Sequence, residues 1–127
     1  MQEQDLFEYA VIRVVPKVER EEFLNVGVIL YCSKQKFLQI KYDINEEKLN
    51  AFCKEPDCKM LNEYLKAFEQ VCAGSPEAGE IGKLPIAERF RWLTATRSTV
   101  VQTSKVHPGL CKDAGEKLEK LFEELVV

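Results

Sequence analysis

Residues 26–32, Val-Gly-Val-Ile-Leu-Tyr-Cys, form the longest apolar run in the chain. A strand on a half-exposed sheet alternates apolar and polar side chains. This run, entered from Asn25, is apolar on both faces, so it reads as a central, buried strand. It falls far short of the roughly 20 residues that cross a bilayer. Gly27 inside it points to a bulge or to another backbone at close approach.

A central strand needs neighbours. Residues 9–15 are rich in β-branched side chains and end at Pro16. Alternation puts Arg13 on the face of Tyr9, Val11 and Val15, opposite Ala10, Ile12 and Val14. A polar loop of hairpin length, residues 33–36, leads to residues 37–42. There Leu38, Ile40 and Tyr42 alternate with Gln39 and Lys41, one face on the core and one in water. Residues 89–94 read as a further strand, with Phe90 and Trp92 on one face and Arg89 and Arg91 on the other. Residues 97–103 read as its partner, and His107-Pro108-Gly109 reads as a turn.

Helical spacing is clearest in two places. Leu61, Tyr64, Leu65, Phe68, Val71 and Cys72 follow one helix face from Pro56 or Asp57 to a C-terminal cap at Gly74. Asp113, with Glu116 at capping-box spacing, opens a final helix whose stripe is Leu118, Leu121, Phe122, Leu125 and Val126. A shorter helix capped by Asn45 would bury Leu49, Phe52 and Cys53. Residues 74–82 read as a flexible surface connection. The pattern predicts an α+β fold: an antiparallel or mixed sheet of about five strands with two main helices packed on it.

With 127 residues, 46% apolar and 31% charged, the chain suits one domain over 1–127, and the composition excludes a disordered or collagen-like chain. A net charge of −3 excludes a uniformly basic surface for DNA or anionic lipid. A single histidine excludes a His-x-x-x-His zinc helix. The polar, acidic N-terminus lacks the features of a secretory signal, so the expected location is cytoplasmic. The five cysteines contain no Cys-x-x-Cys pair, and the Cys53–Cys58 spacing matches no common zinc knuckle. They read as small buried hydrophobes, with no metal and no cofactor expected.

Two polar groups carry the candidate chemistry. The first is Arg13 with Glu19, Glu22 and Asn25. An arginine within a buried strand needs a partner or a route to solvent, and an acidic neighbour can supply it. A structural ion pair and a pocket-lining arginine both fit. The second is Arg89, Arg91, Arg97, Ser98, Thr99, Gln102, Ser104 and His107. The span from Ile86 to Lys105 has four basic residues and one acid, +3 within an acidic chain. Guanidinium forks beside hydroxyls suit phosphate or carboxylate; a solvated strand face and a protein interface suit the same residues. No phosphate-binding glycine loop and no Gly-x-Ser-x-Gly nucleophile is present.

The segments Glu22-Phe-Leu-Asn-Val-Gly-Val-Ile-Leu30 and Arg97-Ser-Thr-Val-Val-Gln-Thr-Ser104, with Val106-His-Pro-Gly-Leu110, resemble the bacterial domain-of-unknown-function family 3037. The strand carrying Arg13 and the closing helix fit in the same order. Arg91 and Thr96 stand where the family pattern has glycine and proline. The resemblance implies a small protein without assigned activity, often encoded beside HipA-type kinase-like proteins, and so an accessory or antitoxin-like partner of such a kinase. The leading expectation is a non-catalytic interaction module with a groove lined by Arg13, Glu22, Asn25, Arg97, Ser98, Thr99 and Gln102. Arg13 and Arg97 would hold a small anionic group, and Glu22 would orient Arg13. The alternatives are an enzyme acting on a phosphodiester or nucleotide, with His107 or Glu22 as general base and Arg97 holding the phosphate, and a nucleic-acid binder through the +3 span.

Overall fold

The computed structural model describes residues 4–15, 24–44, 47, 58–95 and 101–126. Five strands form one antiparallel sheet: β1 (Asp5–Val14), β2 (Leu24–Cys32), β3 (Phe37–Tyr42), β4 (Val101–Thr103) and β5 (His107–Cys111). Among the described residues α1 (Cys58–Ala73), α2 (Ile86–Leu93) and α3 (Ala114–Leu125) pack on it. No helix among the described residues is long and apolar enough to cross a membrane.

β1 is the hub. It pairs with β2 on one side; on the other its first half pairs with β5 and its end with β4. β3 lies outside β2. β2 is therefore interior, and both of its faces are covered. On one face Ile29 and Tyr31 join Ala10, Ile12 and Val14 against Leu61, Leu65 and Phe68 of α1 and Phe90 and Leu93 of α2. On the other, Val28, Leu30 and Cys32 join Phe7 and Cys111 against Ala114, Leu118 and Leu121 of α3. Each Val, Leu, Ile or Phe side chain among them, when fully buried, contributes about 1.5–3 kcal/mol of transfer free energy. This is why the central run carries no polar alternation.

Gly27 fills both roles expected of it. Ile12 pairs with Gly27 but Arg13 pairs with Asn25, so Val26 is an extra residue in β2, a β-bulge. A Cβ on Gly27 would lie 2.7 Å from the Lys41 carbonyl oxygen and 2.8 Å from the Tyr42 Cβ. The bulge lets Val26 point into the α1/α2 cluster and turns Asn25 to the α3 face.

A second irregularity joins β4 to β5. Between the Tyr9–His107 and Ile12–Thr103 pairs, β1 has two residues and the outer chain has three. Ser104 closes the break. Its amide donates to the Val11 carbonyl at 2.8 Å, and its Oγ accepts from the Val11 amide at 2.8 Å. The same hydroxyl donates to the Lys105 carbonyl at 2.9 Å. A side-chain oxygen thus stands where the ladder lacks a backbone acceptor.

α1 ends at Gly74 with φ +66°, a left-handed cap. The Gly74 amide donates to the Val71 carbonyl, and the Ser75 amide to Gln70. Arg89 Nη1 donates to the Val71 and Cys72 carbonyls at 3.1 and 2.9 Å, answering the negative end of the helix. A Cβ at position 74 would sit 2.7 Å from that Nη1. The connection after Gly74 is ordered into short 3-10 turns at Pro76–Ala78 and Ile81–Lys83. α3 begins as expected, with the Asp113 carboxylate accepting from the Glu116 amide at 3.1 Å.

Four local expectations are corrected. Residues 101–103, expected to pair with residues 89–94, pair instead with the end of β1. Residues 89–94 are not a strand: they belong mostly to α2, where Phe90 and Leu93, three apart, face the core and Trp92 does not. Over four residues, Arg-Phe-Arg-Trp fits the strand and helix periods equally. His107-Pro108-Gly109 is a strand segment rather than a turn; glycine at 109 leaves room for the Phe7 ring, which a Cβ would approach to 2.5 Å. Tyr64, expected within a buried stripe, is 39% exposed. The Asn45-capped helix lies outside the described residues, apart from helical Glu47.

Candidate functional site: a polar row on the sheet

The bulge at Val26 and the β1–β4 pairing have a joint result. Asn25 of β2, Arg13 of β1 and Gln102 of β4 are register partners in sequence, forming one row across three strands. Directly opposed residues have Cα atoms roughly 4.5–5.5 Å apart. By strict alternation Asn25 would face α1 with Gly27 and Ile29. The extra residue in β2 reverses this and brings it beside Arg13 on the α3 face.

The end of α3 meets the row. Asn25 Nδ2 donates to the Leu125 carbonyl at 3.1 Å, satisfying one of the last carbonyls of the helix. The Asn25 Oδ1 is buried and has no hydrogen-bond partner among the described residues. The row therefore sets a guanidinium and two side-chain amides side by side, with the Asn25 carbonyl oxygen in need of a donor.

His107 lies on the same face but not in the row. It pairs with Tyr9, and the two rings are 5.3 Å apart at their centroids. Tyr9 is four positions from Arg13 along β1, roughly 13 Å at about 3.3 Å per residue. Phe7 stacks on Tyr9 at 6.0 Å, and the Lys117 ammonium lies 5.9 Å from the Phe7 ring centroid. The face thus has an aromatic end at His107, Tyr9 and Phe7, and a polar end at the row.

Other suspected groups are engaged within the fold. Arg89 caps α1. Arg91 makes a forked pair with Glu8 at 2.6 and 2.9 Å, and this hydrogen bonding raises its pKa. The Ser104 hydroxyl splices the sheet. Glu19, Glu22, Arg97, Ser98 and Thr99 lie outside the described residues. Of the expected groove, the structure brings together Arg13, Asn25 and Gln102. Tyr9 and the Leu125 carbonyl were not singled out from the sequence; the odd-position face shared by Tyr9 and Arg13 was the available signal for the first.

The described thiols Cys32, Cys72 and Cys111 are free and buried. Burial pushes the Cys72 pKa up to about 12, which makes it a poor nucleophile and a poor metal ligand at neutral pH. No group of three or more metal-ligating side chains occurs among the described residues.

No curated protein and no solved structure matches the chain. The family described as "Protein of unknown function (DUF3037)" matches residues 9–126, from Tyr9 through the row and His107 to the end of α3, and the chain belongs to that family.

Proposed function

We propose that the chain acts as a non-catalytic, cytoplasmic interaction module, a single domain over 1–127, whose polar row receives an anionic group of a partner. The observation that carries this reading is the cross-strand alignment of Asn25, Arg13 and Gln102, with the Asn25 Oδ1 buried and lacking a donor among the described residues. A buried acceptor without a donor costs about 1–3 kcal/mol, which a ligand N–H or O–H would recover. Arg13 beside it favours a carboxylate or phosphate oxygen. A partner segment presenting an acidic group next to a backbone N–H meets both demands, as does a singly protonated phosphate. Arg97, Ser98, Thr99 and Glu22 are proposed to complete the groove. The partner implied by the family resemblance is a HipA-type kinase-like protein, which would make this chain an antitoxin-like accessory.

The rival readings draw less support. The enzyme reading needs His107 or Glu22 to converge with Arg97; His107 lies roughly 13 Å along β1 from the polar row, and Glu22 and Arg97 lie outside the described residues. A nucleic-acid face over residues 86–105 would lack Arg89 and Arg91, both engaged internally.

The test is a calorimetric titration of a co-encoded HipA-type protein into the wild type and into Arg13→Met and Gln102→Ala variants. The expected result is stoichiometric binding, weakened at least about tenfold in each variant, equivalent to about 1.4 kcal/mol. Undiminished affinity in both variants, or no binding by the wild type, would refute the reading.

A further inference from the structure

The helical face of the sheet carries a different kind of surface. Between α1 and α2 runs a groove of about 280 Å³ lined by Tyr64, Ala67, Phe68, Val71, Trp92 and Leu93. Its walls are apolar and aromatic. Two of its lining side chains are large hydrophobics that stay exposed, Tyr64 at 39% and Trp92 at 42%, and Met60, one turn before Tyr64 on α1, is exposed too. Isolated exposed hydrophobics are ordinary, but a tryptophan and a tyrosine lining one groove make the composition of an interface core.

Among the described residues, two exposed acids flank the groove at helical spacing from its lining. Glu63 is exposed one turn before Ala67 on α1, and Glu88 is exposed one turn before Trp92 on α2. The two arginines of α2 do not offset them. Arg89 is turned into the α1 carbonyls and Arg91 is forked onto Glu8 of the sheet. The groove therefore has an apolar floor and acidic lips. Two copies of the chain docked groove to groove would set Glu63 and Glu88 against their like, which disfavours a symmetric dimer here.

We infer that the groove between α1 and α2 docks an amphipathic helix of a partner protein, with an apolar stripe on Tyr64 and Trp92 and flanking Lys or Arg side chains on Glu63 and Glu88. A third helix laid between two others is a recurrent recognition geometry, read by anchors spaced three and four residues apart. This surface is on the opposite face of the sheet from the polar row and does not depend on it.

Trp92 is the only tryptophan in the chain, so its fluorescence reports the groove directly. The probe is a synthetic Leu/Lys amphipathic helical peptide of about four turns, with a Leu/Glu peptide of the same pattern as its counterpart. Each is titrated into the full chain. The Leu/Lys peptide is expected to shift the Trp92 emission to the blue saturably, and the Leu/Glu peptide to leave it unchanged. The double variant Glu63→Lys/Glu88→Lys is expected to weaken Leu/Lys binding at least about tenfold, about 1.4 kcal/mol. Glu123→Lys/Glu124→Lys on α3 makes the same change in net charge and is expected to leave binding within about twofold, under about 0.5 kcal/mol. No emission shift in the wild type would overturn the inference. Equal weakening by the two double variants would overturn it too, because attraction would then follow net charge alone.

Discussion

The two faces of the sheet place their polar residues differently. On the α1/α2 face the arginines are consumed in building the fold: Arg89 closes the end of α1 and Arg91 ties α2 to Glu8 of β1. Ala10, Ile12 and Val14 on that side of β1 are apolar and fully buried. On the α3 face one helix packs over β2 and β3, and β1 presents Tyr9, Val11 and Arg13 in turn. Arg13 there joins Asn25 and Gln102 in a row that ends at the last turn of α3. The comparison teaches that a charged residue in an apolar segment has no fixed meaning; its meaning depends on the side of the sheet it reaches and on whether a helix end is waiting there.

The largest effect should come from the more tightly filled face. Phe90→Ala removes a fully buried ring packed 5.2 Å from Tyr31 and is expected to cost about 3–5 kcal/mol in chemical denaturation. Leu118→Ala, its counterpart on the α3 face, is expected to cost about 2–4 kcal/mol, because that cluster borders a single helix. A larger loss at Leu118 than at Phe90 would reverse the ranking of the faces.

Next comes Gly27→Ala, which strikes the bulge that supplies the row. The added methyl meets a backbone oxygen at 2.7 Å, so the strands must part, at an expected cost of about 1–3 kcal/mol. Asn25 is expected to shift with the bulge, read as a moved side-chain amide signal in NMR spectra. A neutral substitution would mean that the bulge is not fixed by close packing of β2 and β3.

Much of this was legible beforehand, and the exceptions are instructive. The strand at residues 26–32, the α1 stripe and the Asp113 cap were readable because each rests on a long period or on a cap with a local cause. Gly27 announced a bulge, but not which way Asn25 would turn; that depends on which residue is extra, a property of the pairing rather than of the strand. The Arg89–Trp92 segment was misread because four residues cannot separate the two periods. His107-Pro108-Gly109 was misread because its turn-forming residues serve an edge: proline costs least where no inner partner needs its amide, and glycine makes room for Phe7. Ser104 had no sequence mark of its role, since its hydroxyl serves an amide 93 residues away.

That splice gives the third prediction. Ser104→Ala leaves the buried Val11 amide without its acceptor and is expected to cost about 1–2 kcal/mol. Hydrogen exchange at Val11 is expected to quicken more than at Ala10 or Ile12. Unchanged exchange at Val11 would mean that another acceptor takes over.

The smallest effect at neutral pH, and the most selective, concerns Cys72. Its pKa is pushed up to about 12 by burial, against an ordinary value of 9.0. Above pH about 9 the unfolded chain releases the thiol proton while the folded chain keeps it. The folded state then binds more protons, so stability falls as pH rises toward 12, by at most about 1.4 kcal/mol per pH unit. Cys72→Ala is expected to flatten this alkaline slope. An identical slope in the variant would place the loss on other groups.

The central claim, that the row on the α3 face is a binding surface, is tested most directly by side-chain NMR. The signals to follow are the Arg13 guanidinium and the Asn25 and Gln102 amides while the proposed partner, a HipA-type protein, is titrated in. Trp92 Nε1 serves as the marker of the other face. The three row signals are expected to shift together and saturate at one partner per chain. Row signals that stay in place while the partner binds, with or without a shift at Trp92, would contradict the central claim.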